Sequence, residues 1–387
     1  MDRFRQKSLS VALMGGAICH LRGMSQQHWI RCLILLSFLS FCLQSALVLA
    51  VKREDFKTCA QSGFCTRQRA YAQLTTTGDE QLGPLVSLKQ HYHIEPATIQ
   101  LDAEHGLVSA TVISSPAGQR LQWHLVIQML LDGTLRIQLD EQNSLRQRHR
   151  ANFGLQAEPV AARLVKIKQD ASKLVFSRAD RVSDTVSLFL EPFKVVVSSG
   201  GKDRIALNAE EWLNIEHLRA RPTPQSEPEP QAASSLDGES MSAEAAEVGA
   251  ETVEEGQGVL AADLQRDQWE ETFKSWTDSK PRGPTSVAAD VHFLQSAHLY
   301  GLAEHASGHQ LKSTGLQENN HDYHDPYRLY NTDICEYELD NTMSLYGAVP
   351  YIIGMDEDGS AHGVFWYNTA ETWVDVAVQS KVAFLPR

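Results

Sequence analysis

Between residues 97 and 218, hydrophobic and polar residues alternate in short runs that are separated by turn-forming residues. The clearest example is WHLVIQMLLDGTLRIQLDE, residues 123–141, in which two such runs flank Asp132-Gly133. An Asp-Gly pair between alternating runs is a strong signal for a β-hairpin. FKVVVSSGGKDRIALNAE, residues 193–210, predicts a second hairpin that turns at Gly200-Gly201.

Further strand patterns occur between these hairpins and again after residue 286. ARLVKIKQD, KLVFSRAD and TVSLFLEPF each predict one strand, and SVAADVHFL, YRLYNTDICEYEL, GAVPYIIGMDEDG and HGVFWYNTAETWVDVAV predict more. Many short strands without a long amphipathic helix indicate an all-β sandwich or barrel. Because both regions share this character, we expect them to form one sandwich.

The segment between the two strand-rich regions has a different composition. From Arg221 to Gly258 it is rich in Pro, Glu, Ser and Ala and contains no aromatic residue. Such a segment buries too little apolar surface to offset the entropy of ordering it. We therefore predict a disordered acidic insertion at residues 221–262, with binding of a basic partner as the alternative. After it, WEETFKSWTDSKPRGP predicts a short helix with Trp269 and Phe273 on one face.

The first fifty residues are predicted to be a secretory signal. Arg31 is followed by an uncharged, largely apolar run from Cys32 to Ala50 that ends in a small residue. A cationic start, an apolar run and a small-residue end are typical of a signal peptide. The run is also long enough for a membrane anchor, but no clear basic stop-transfer cluster follows it, so cleavage near Ala50 is favoured. Met24 is an alternative start.

Two cysteines that follow the predicted signal are close together in the sequence. Cys59 and Cys65 lie in a Gly-containing segment of a chain that is expected to enter an oxidising compartment. These conditions favour a local disulfide that fixes a turn, and two free thiols are the alternative. Cys335 has no predicted partner. The expected organisation is a signal at 1–50, sandwich parts at 51–220 and 263–387, and the acidic insertion at 221–262.

Composition limits the classes of function. The 387 residues are 42% hydrophobic, 8% aromatic and 21% charged, as in an ordinary globular protein. The formal net charge of −13 argues against nucleic acid or an anionic membrane as the main partner. No cofactor is predicted.

Aromatic and polar residues are densest between His298 and Asp375. Rings beside fixed polar groups suit a sugar-binding surface, because apolar sugar faces stack on rings while the hydroxyls form hydrogen bonds. The alternative is that most of these rings fill the core. For Trp366 and Trp373, which lie in regular strand patterns, core packing is favoured.

Two pairs of histidines have spacings that zinc sites use, His305 with His309 and His321 with His324. Neither a cysteine cluster nor an HExxH order accompanies them. Such loose spacing specifies a metal site poorly, so we predict solvated or supporting histidines and no metal.

Several motifs together resemble the glucosidase II branch of glycoside hydrolase family 31. They occur in the family's order and spacing: VKREDFKTCAQSGFCTRQRAYA, DSKPRGPTSVAADV, LYGLAEHA, PYRLYNTDICEYEL, SLYGAVPYII and ETWVDV. The resemblance covers nearly all of residues 51–376 except the acidic insertion, and it includes the pair Cys59 and Cys65. Many separate motifs in register make it far more specific than any one of them.

The resemblance implies a galactose-mutarotase-like β-sandwich that precedes a (β/α)8 catalytic barrel, and no barrel pattern occurs in this sequence. It also implies that Asp333 contacts the terminal glucose, since a carboxylate accepts hydrogen bonds from sugar hydroxyls and orients the ring. The alternative for Asp333 is a turn-capping role. Ala303 and Thr342 replace prolines that are usual in the family, which leaves the loop less stiff.

Retaining glycosidases need two carboxyl groups about 5 Å apart. The resemblance places both on the barrel, so we predict no catalytic residue here and expect a truncated chain that is inactive alone.

Two functions remain open. The first is the N-terminal part of an α-glucosidase that trims α-1,3-linked glucose from N-glycans in the endoplasmic reticulum lumen, with an α-glucosyl glycan and a regulatory β-subunit as partners. The second is a non-catalytic, lectin-like module that binds glucosylated glycans or the β-subunit.

Overall fold

A computed structural model of the chain describes residues 52–115, 119–145, 152–221, 255–315, 321–334, 336–377 and 381–386. The predicted signal, most of the acidic insertion and Cys335 lie outside these residues. The residues described from Glu54 onward belong to one compact unit. Within the described ranges, no helix has both the length and the apolar character that crossing a membrane requires.

The described strands belong to four sheets. The first sheet has the order β1-β3-β4-β5, with β2 beside β3. Its pairs are antiparallel, and the longest, β3 with β4, runs from Leu107 opposite Gln128 to Ser114 opposite Leu121. Its strands are β1 (His93–Ile94), β2 (Gln100–Asp102), β3 (Leu107–Ser114), β4 (Leu121–Met129) and β5 (Leu135–Glu141).

The second sheet is the largest of the part that the structure describes. Its order is β16-β19-β20-β14-β10-β9-β8-β7-β6, with β11 beside β14. Its strands are β6 (Leu164–Gln169), β7 (Lys173–Arg178), β8 (Arg181–Phe189), β9 (Lys194–Ser199), β10 (Lys202–Leu207), β11 (Asn214–Ile215), β14 (Val287–Phe293), β16 (Tyr327–Leu329), β19 (Thr372–Ala377) and β20 (Lys381–Pro386).

Two small sheets, three α-helices and several short 3-10 helices complete the described elements. One small sheet is a two-stranded hairpin of β12 (Glu270–Phe273) and β13 (Trp276–Ser279). The other is a three-stranded antiparallel sheet of β15 (Ser296–Gly301), β17 (Tyr351–Asp356) and β18 (Ala361–Phe365). The α-helices are α1 (Gly63–Thr76), α2 (Asp79–Leu82) and α3 (Glu255–Gln265).

The predicted single sandwich is confirmed. β10 precedes the acidic insertion and β14 follows it, and the two strands pair from Ile205 opposite Phe293 to Leu207 opposite Val291. Both predicted hairpins form, because β4 pairs with β5 and β9 pairs with β10. Both strand-rich regions therefore contribute strands to the large sheet.

Hydrophobic residues pack against both faces of the large sheet, in two clusters on one face and a third on the other. One cluster lies between the first sheet and β7–β9, and a second lies between the β15-β17-β18 sheet and β14, β16, β19 and β20. Along β19, Val374 belongs to the second cluster, whereas Trp373 belongs to a third cluster with the two cysteines near α1. This alternation is that of a strand covered on both faces. Core packing of Trp373 is confirmed, and Trp366 stacks on Phe384 at 5.1 Å between ring centroids.

Three segments differ from the sequence predictions. The helix predicted around Trp269 and Phe273 is wrong, because residues 270–279 form the β12–β13 hairpin. Helix α1 was not predicted, because it lacks the amphipathic pattern that marks a surface helix. Its polar residues Arg67 and Gln68 are buried and form hydrogen bonds with Glu216 and Ser286. Helix α3 includes the last residues of the segment assigned to the acidic insertion, and its Leu260 packs in a cluster with residues of α1.

Candidate functional site: the loop that presents Asp333

Asp333 lies in a long excursion between β16 and β17, which we call the Asp333 loop (residues 330–347). Its outgoing and returning arms run side by side, since Arg328 N donates to Thr342 O at 3.1 Å and Thr332 N donates to Leu345 O at 2.7 Å. Backbone pairing of this kind limits the freedom of a loop. Backbone hydrogen bonds therefore hold the base of the loop, although none of its described residues has regular strand geometry.

Both neighbours of Asp333 are fixed. The hydroxyls of Thr332 and Ser344 share a hydrogen bond at 2.7 Å, and Ser344 is buried. Ile334 is also buried, and its carbonyl accepts a hydrogen bond from the hydroxyl of Tyr346. The backbone on each side of Asp333 is thus pinned to the returning arm of the loop.

The side chain of Asp333 itself is exposed. Among the residues that the structure describes, none forms a hydrogen bond or ion pair with its carboxylate. A turn-capping aspartate would accept a hydrogen bond from a nearby backbone N–H, and no such bond is present within the described part. The carboxylate is an acceptor on a fixed backbone and is accessible to a ligand.

Arg328 supports the base of the loop. Its guanidinium lies 4.7 Å from the ring of Tyr330 and 5.2 Å from the ring of Trp373, and its Nε donates to Glu371 Oε1 at 2.8 Å. Side chains of both Arg328 and Glu371 are largely buried. Arg328 and Trp373 are directly opposite each other in the β16–β19 pair, which explains the contact.

The tip of the loop is tied to the segment that precedes β16. Asp340 accepts hydrogen bonds from Lys312 Nζ at 2.7 Å and from the hydroxyl of Tyr323. These two bonds lower the pKa of Asp340, so its carboxylate is ionised at neutral pH. At the far end of the loop, Gly347 N donates to Glu304 Oε2 at 2.8 Å.

The histidines do not form a metal site in the described part. His305 Nε2 lies 3.0 Å from Gly301 O and its Nδ1 lies 2.7 Å from Ser307 Oγ. Because a carbonyl only accepts, Nε2 carries the proton of the neutral ring and Nδ1 accepts from the serine. The ring centroids of His321 and His324 are 6.0 Å apart. No group of three His, Cys, Asp or Glu side chains that could hold a metal ion occurs among the described residues.

An exposed aromatic surface lies on the β17–β18 hairpin. The ring of Tyr351 is 6.4 Å from that of Phe365, which is 5.6 Å from that of Tyr367, and the three side chains are between 39% and 54% exposed. Other exposed hydrophobic side chains belong to the Asp333 loop: Tyr330, Tyr337, Leu339 and Tyr346. Large exposed apolar surfaces are typical of interaction sites.

Cys59 and Cys65 are joined by a disulfide bond, and both are buried beside Trp212 and Trp373. A cavity of about 380 Å³ lies between α1 and residues 278–286, and none of its lining residues belongs to the Asp333 loop. Its lysine and one of its arginines are ion-paired within the protein, Lys280 with Glu271 and Arg67 with Glu216. We assign no function to this cavity.

Sequence reasoning missed the residues that hold Asp333 in place. Thr332 pairs with Ser344 and Arg328 with Glu371 across separations of 12 and 43 residues. A Thr, a Ser or an Arg–Glu pair at such a distance has no local pattern that marks it. The pairing of β16 with β19 would have been the only signal, and a three-residue strand is too short to predict.

Comparisons with known proteins agree with this fold. Residues 124–375 match the model of the glycosyl hydrolase 31 N-terminal galactose mutarotase-like domain. Neutral alpha-glucosidase AB of Sus scrofa is 34% identical over 344 residues, which are 89% of this chain and 33% of that protein. Glucosidase 2 subunit alpha of Schizosaccharomyces pombe is 29% identical over 367 residues, which are 88% of this chain and 34% of that protein.

Solved structures give the same result. A crystal structure of a glucosidase II alpha subunit in a Tris-bound form matches with a TM-score of 0.66 and 28% identity, over 87% of this chain and 35% of that chain. A structure of an ER glucosidase II heterodimeric complex, consisting of the catalytic subunit and the binding domain of the regulatory subunit, matches with a TM-score of 0.63. This chain thus spans about a third of the length of these relatives. The chain belongs to glycoside hydrolase family 31, and its sandwich is the galactose mutarotase-like domain of that family.

Proposed function

We propose that this chain is the carbohydrate-contacting support domain of an α-glucosidase, in which Asp333 accepts hydrogen bonds from hydroxyls of an α-linked terminal glucose. The observation that carries the proposal is the setting of Asp333. Its carboxylate is exposed and has no protein partner among the described residues, while both neighbouring residues are fixed. An acceptor held in this way orients a sugar ring without a further loss of backbone entropy.

The hydrolytic carboxylates are not assigned to this chain. Hydrolysis with retention needs two carboxyl groups about 5 Å apart, one as nucleophile and one as proton donor. The relatives whose names state glucosidase activity are about three times as long as the part that this chain matches. We propose that the acids which break the glycosidic bond belong to the portion of such an enzyme that this chain does not match.

The similarity to glucosidase II alpha subunits also supports a substrate class and a partner. One matching structure is described as bound to α3-Glc2, and another contains the binding domain of a regulatory subunit. We therefore propose α-1,3-linked glucose of N-glycans as the substrate, the endoplasmic reticulum lumen as the compartment and a regulatory β-subunit as the partner of the full enzyme.

Binding of an α-1,3-linked glucose disaccharide to the purified chain tests the role of Asp333. Because one carboxylate and a few nearby groups form only part of a pocket, we expect a Kd in the millimolar range, equivalent to about −4 kcal/mol. NMR titration of wild type and Asp333→Ala should show binding that the substitution removes. Glu158→Ala, which removes another exposed carboxylate, should bind as wild type does. Equal titration curves for wild type and Asp333→Ala would contradict the proposal.

A stand-alone lectin-like module is the second candidate, favoured by the exposed rings on and beside the Asp333 loop. A complete binding site with several stacked rings predicts a Kd of about 100 µM or tighter, equivalent to at least about −5.5 kcal/mol. The same titration therefore separates the two functions by affinity. Neither candidate hydrolyses an aryl α-glucoside, so turnover by a pure sample would contradict both.

A further inference from the structure

Helix α1 is fixed to the large sheet by two ion pairs of the same kind. Arg67 donates from Nε and Nη2 to the two oxygens of Glu216 at 2.6 and 2.9 Å. Arg69 donates from Nε and Nη2 to the two oxygens of Asp375 at 2.9 and 2.6 Å. Bidentate pairs of this type fix the orientation of both partners. The two pairs differ in the segments of the chain that their other hydrogen bonds reach.

The Arg69 pair contacts the segment that leads into the Asp333 loop. Asp375 is fully buried on β19 and also accepts a hydrogen bond from Thr314 Oγ1 at 2.6 Å. The Nη2 of Arg69 donates to the carbonyl of His324 at 3.2 Å. His324 lies three residues before β16, the strand from which the Asp333 loop departs. Arg69 therefore joins α1, β19 and the start of β16.

The disulfide-closed turn before α1 makes a second contact with the same segment. The backbone N–H of Cys59 donates to Asp325 Oδ1 at 3.3 Å. The carbonyl of Asp325 in turn accepts from Thr342 Oγ1 at 3.3 Å, and Thr342 is in the returning arm of the loop. Two residues further on, Ser344 holds Thr332, the neighbour of Asp333. A continuous series of contacts thus connects the N-terminal turn to Asp333.

The other contacts of the Arg67 pair reach a different part of the chain. Glu216 follows β11, and besides Arg67 it accepts hydrogen bonds from Ser286 N and Oγ, at the start of β14. Arg67 Nη1 donates to the carbonyl of Arg266, after α3. These partners fix the other side of α1, away from the Asp333 loop. The Arg67–Glu216 pair therefore serves as a matched control for the Arg69–Asp375 pair.

We propose that Arg69 is a positioning residue for Asp333, and that the Cys59–Cys65 turn acts with it. Arg69 does not touch the sugar, and its effect passes through His324, Asp325 and the returning arm of the loop. This inference rests on the proposed sugar contact of Asp333. The Arg328–Glu371 and Lys312–Asp340 pairs hold the loop independently, so loss of Arg69 should shift the loop without unfolding it.

Two double variants test the inference. Arg69→Met/Asp375→Asn removes one ion pair and keeps an acceptor for Thr314, and Arg67→Met/Glu216→Gln removes the other pair and keeps an acceptor for Ser286. Removing both charges avoids the large cost of leaving one buried charge unpaired. The backbone amide signals of residues 331–334 are compared by NMR without ligand, and thermal unfolding is measured in parallel.

We expect Arg69→Met/Asp375→Asn to shift the amide signals of residues 331–334 and to weaken disaccharide binding by about fivefold. Both double variants should lower the unfolding temperature by similar amounts. Arg67→Met/Glu216→Gln should nevertheless leave the amide signals and the disaccharide affinity as in wild type. Cys59→Ala/Cys65→Ala should shift the same amides, which provides a second variant if the first fails to fold.

Equal amide shifts in both double variants, or none in either, would overturn the positioning role. The amide signals are compared without ligand, so they test the positioning role even if the disaccharide does not bind. Absence of Asp333-dependent binding together with the expected amide shifts would refute the proposed function and leave the positioning of the loop intact.

Discussion

At the scale of single residues, backbone conformation limits which substitutions the chain tolerates. Gly301, at the end of β15, has a φ of +122°, and a Cβ on it would lie 2.1 Å from the carbonyl oxygen of Tyr351. Gly359, in the turn between β17 and β18, has a φ of +80°, but a Cβ on it would meet nothing within 4 Å. Alanine substitutions at the two positions therefore separate the free-energy cost of a positive φ from that of a steric clash.

We expect Gly301→Ala to lower the free energy of unfolding by more than about 3 kcal/mol, because the neighbouring strand must move. Gly359→Ala carries only the conformational cost, about 1 kcal/mol. Denaturant unfolding of both variants measures the difference. Equal losses would show that β15 and β17 can separate at this point without a penalty.

The role of Asp333 is also a residue-scale question, and local sequence could not resolve it. The resemblance selected Asp333 within YRLYNTDICEYEL, and no periodicity distinguished it from Asp340 a few residues later. The structure separates the two, since Asp340 is paired with Lys312 and Tyr323 whereas Asp333 has no partner within the described residues. The difference comes from residues that are distant in sequence.

At the scale of elements, the β12–β13 hairpin shows why one prediction failed. Trp269 and Phe273 are four residues apart, as on a helix, but Glu270 pairs with Ser279 and Glu271 with Asp278 across the hairpin. Glu271 is buried and binds Lys280, which follows β13, and Lys57, which lies 214 residues earlier in the sequence. Long-range ion pairs therefore outweigh a weak helical pattern.

This ion-pair cluster predicts a pH dependence of stability. Burial by itself raises the pKa of Glu271, but hydrogen bonds from Lys280 and Lys57 outweigh it and lower the pKa to about 2. In the unfolded chain a glutamate has a pKa of about 4.3. The folded state thus binds the proton less tightly, so the stabilisation is complete above about pH 5 and is lost as the pH falls towards 2.

We expect the unfolding temperature of wild type to fall more steeply between pH 5 and pH 2 than that of Glu271→Gln, which cannot titrate. Circular dichroism of both proteins across this range measures the slopes. Glu158→Gln, a change in an exposed loop, should keep the wild-type slope. Parallel curves for wild type and Glu271→Gln would contradict the assignment.

At the scale of the whole molecule, local sequence patterns predicted the β-sandwich but not the long-range contacts that attach helix α1 to it. The hairpins at Asp132-Gly133 and Gly200-Gly201 are confirmed because the turn and both strands lie within one short window. The helix α1 and its ion pair between Arg69 and Asp375, 306 residues apart, were not predictable from any window. The family resemblance gave the fold, and the structure gave the contacts that support Asp333.

The aromatic surface of the β17–β18 hairpin predicts a molecule-scale property. Tyr351, Phe365 and Tyr367 are exposed side by side, and we expect the purified chain to bind the dye ANS at neutral pH. Tyr351→Ser/Phe365→Ser should remove most of this fluorescence with little change in the unfolding temperature. Val182→Ser removes an exposed hydrophobic side chain on β8, outside the β17–β18 hairpin, and should leave the fluorescence unchanged. Unchanged fluorescence in the double variant would place the binding surface elsewhere.

The central claim is that this chain contributes a sugar-binding carboxylate. The most direct test is a crystal structure of the chain soaked with an α-1,3-linked glucose disaccharide. The account predicts a glucose hydroxyl within about 3.2 Å of an Asp333 carboxylate oxygen. A disaccharide bound elsewhere, with the Asp333 side chain hydrogen-bonded to protein instead, would contradict the account.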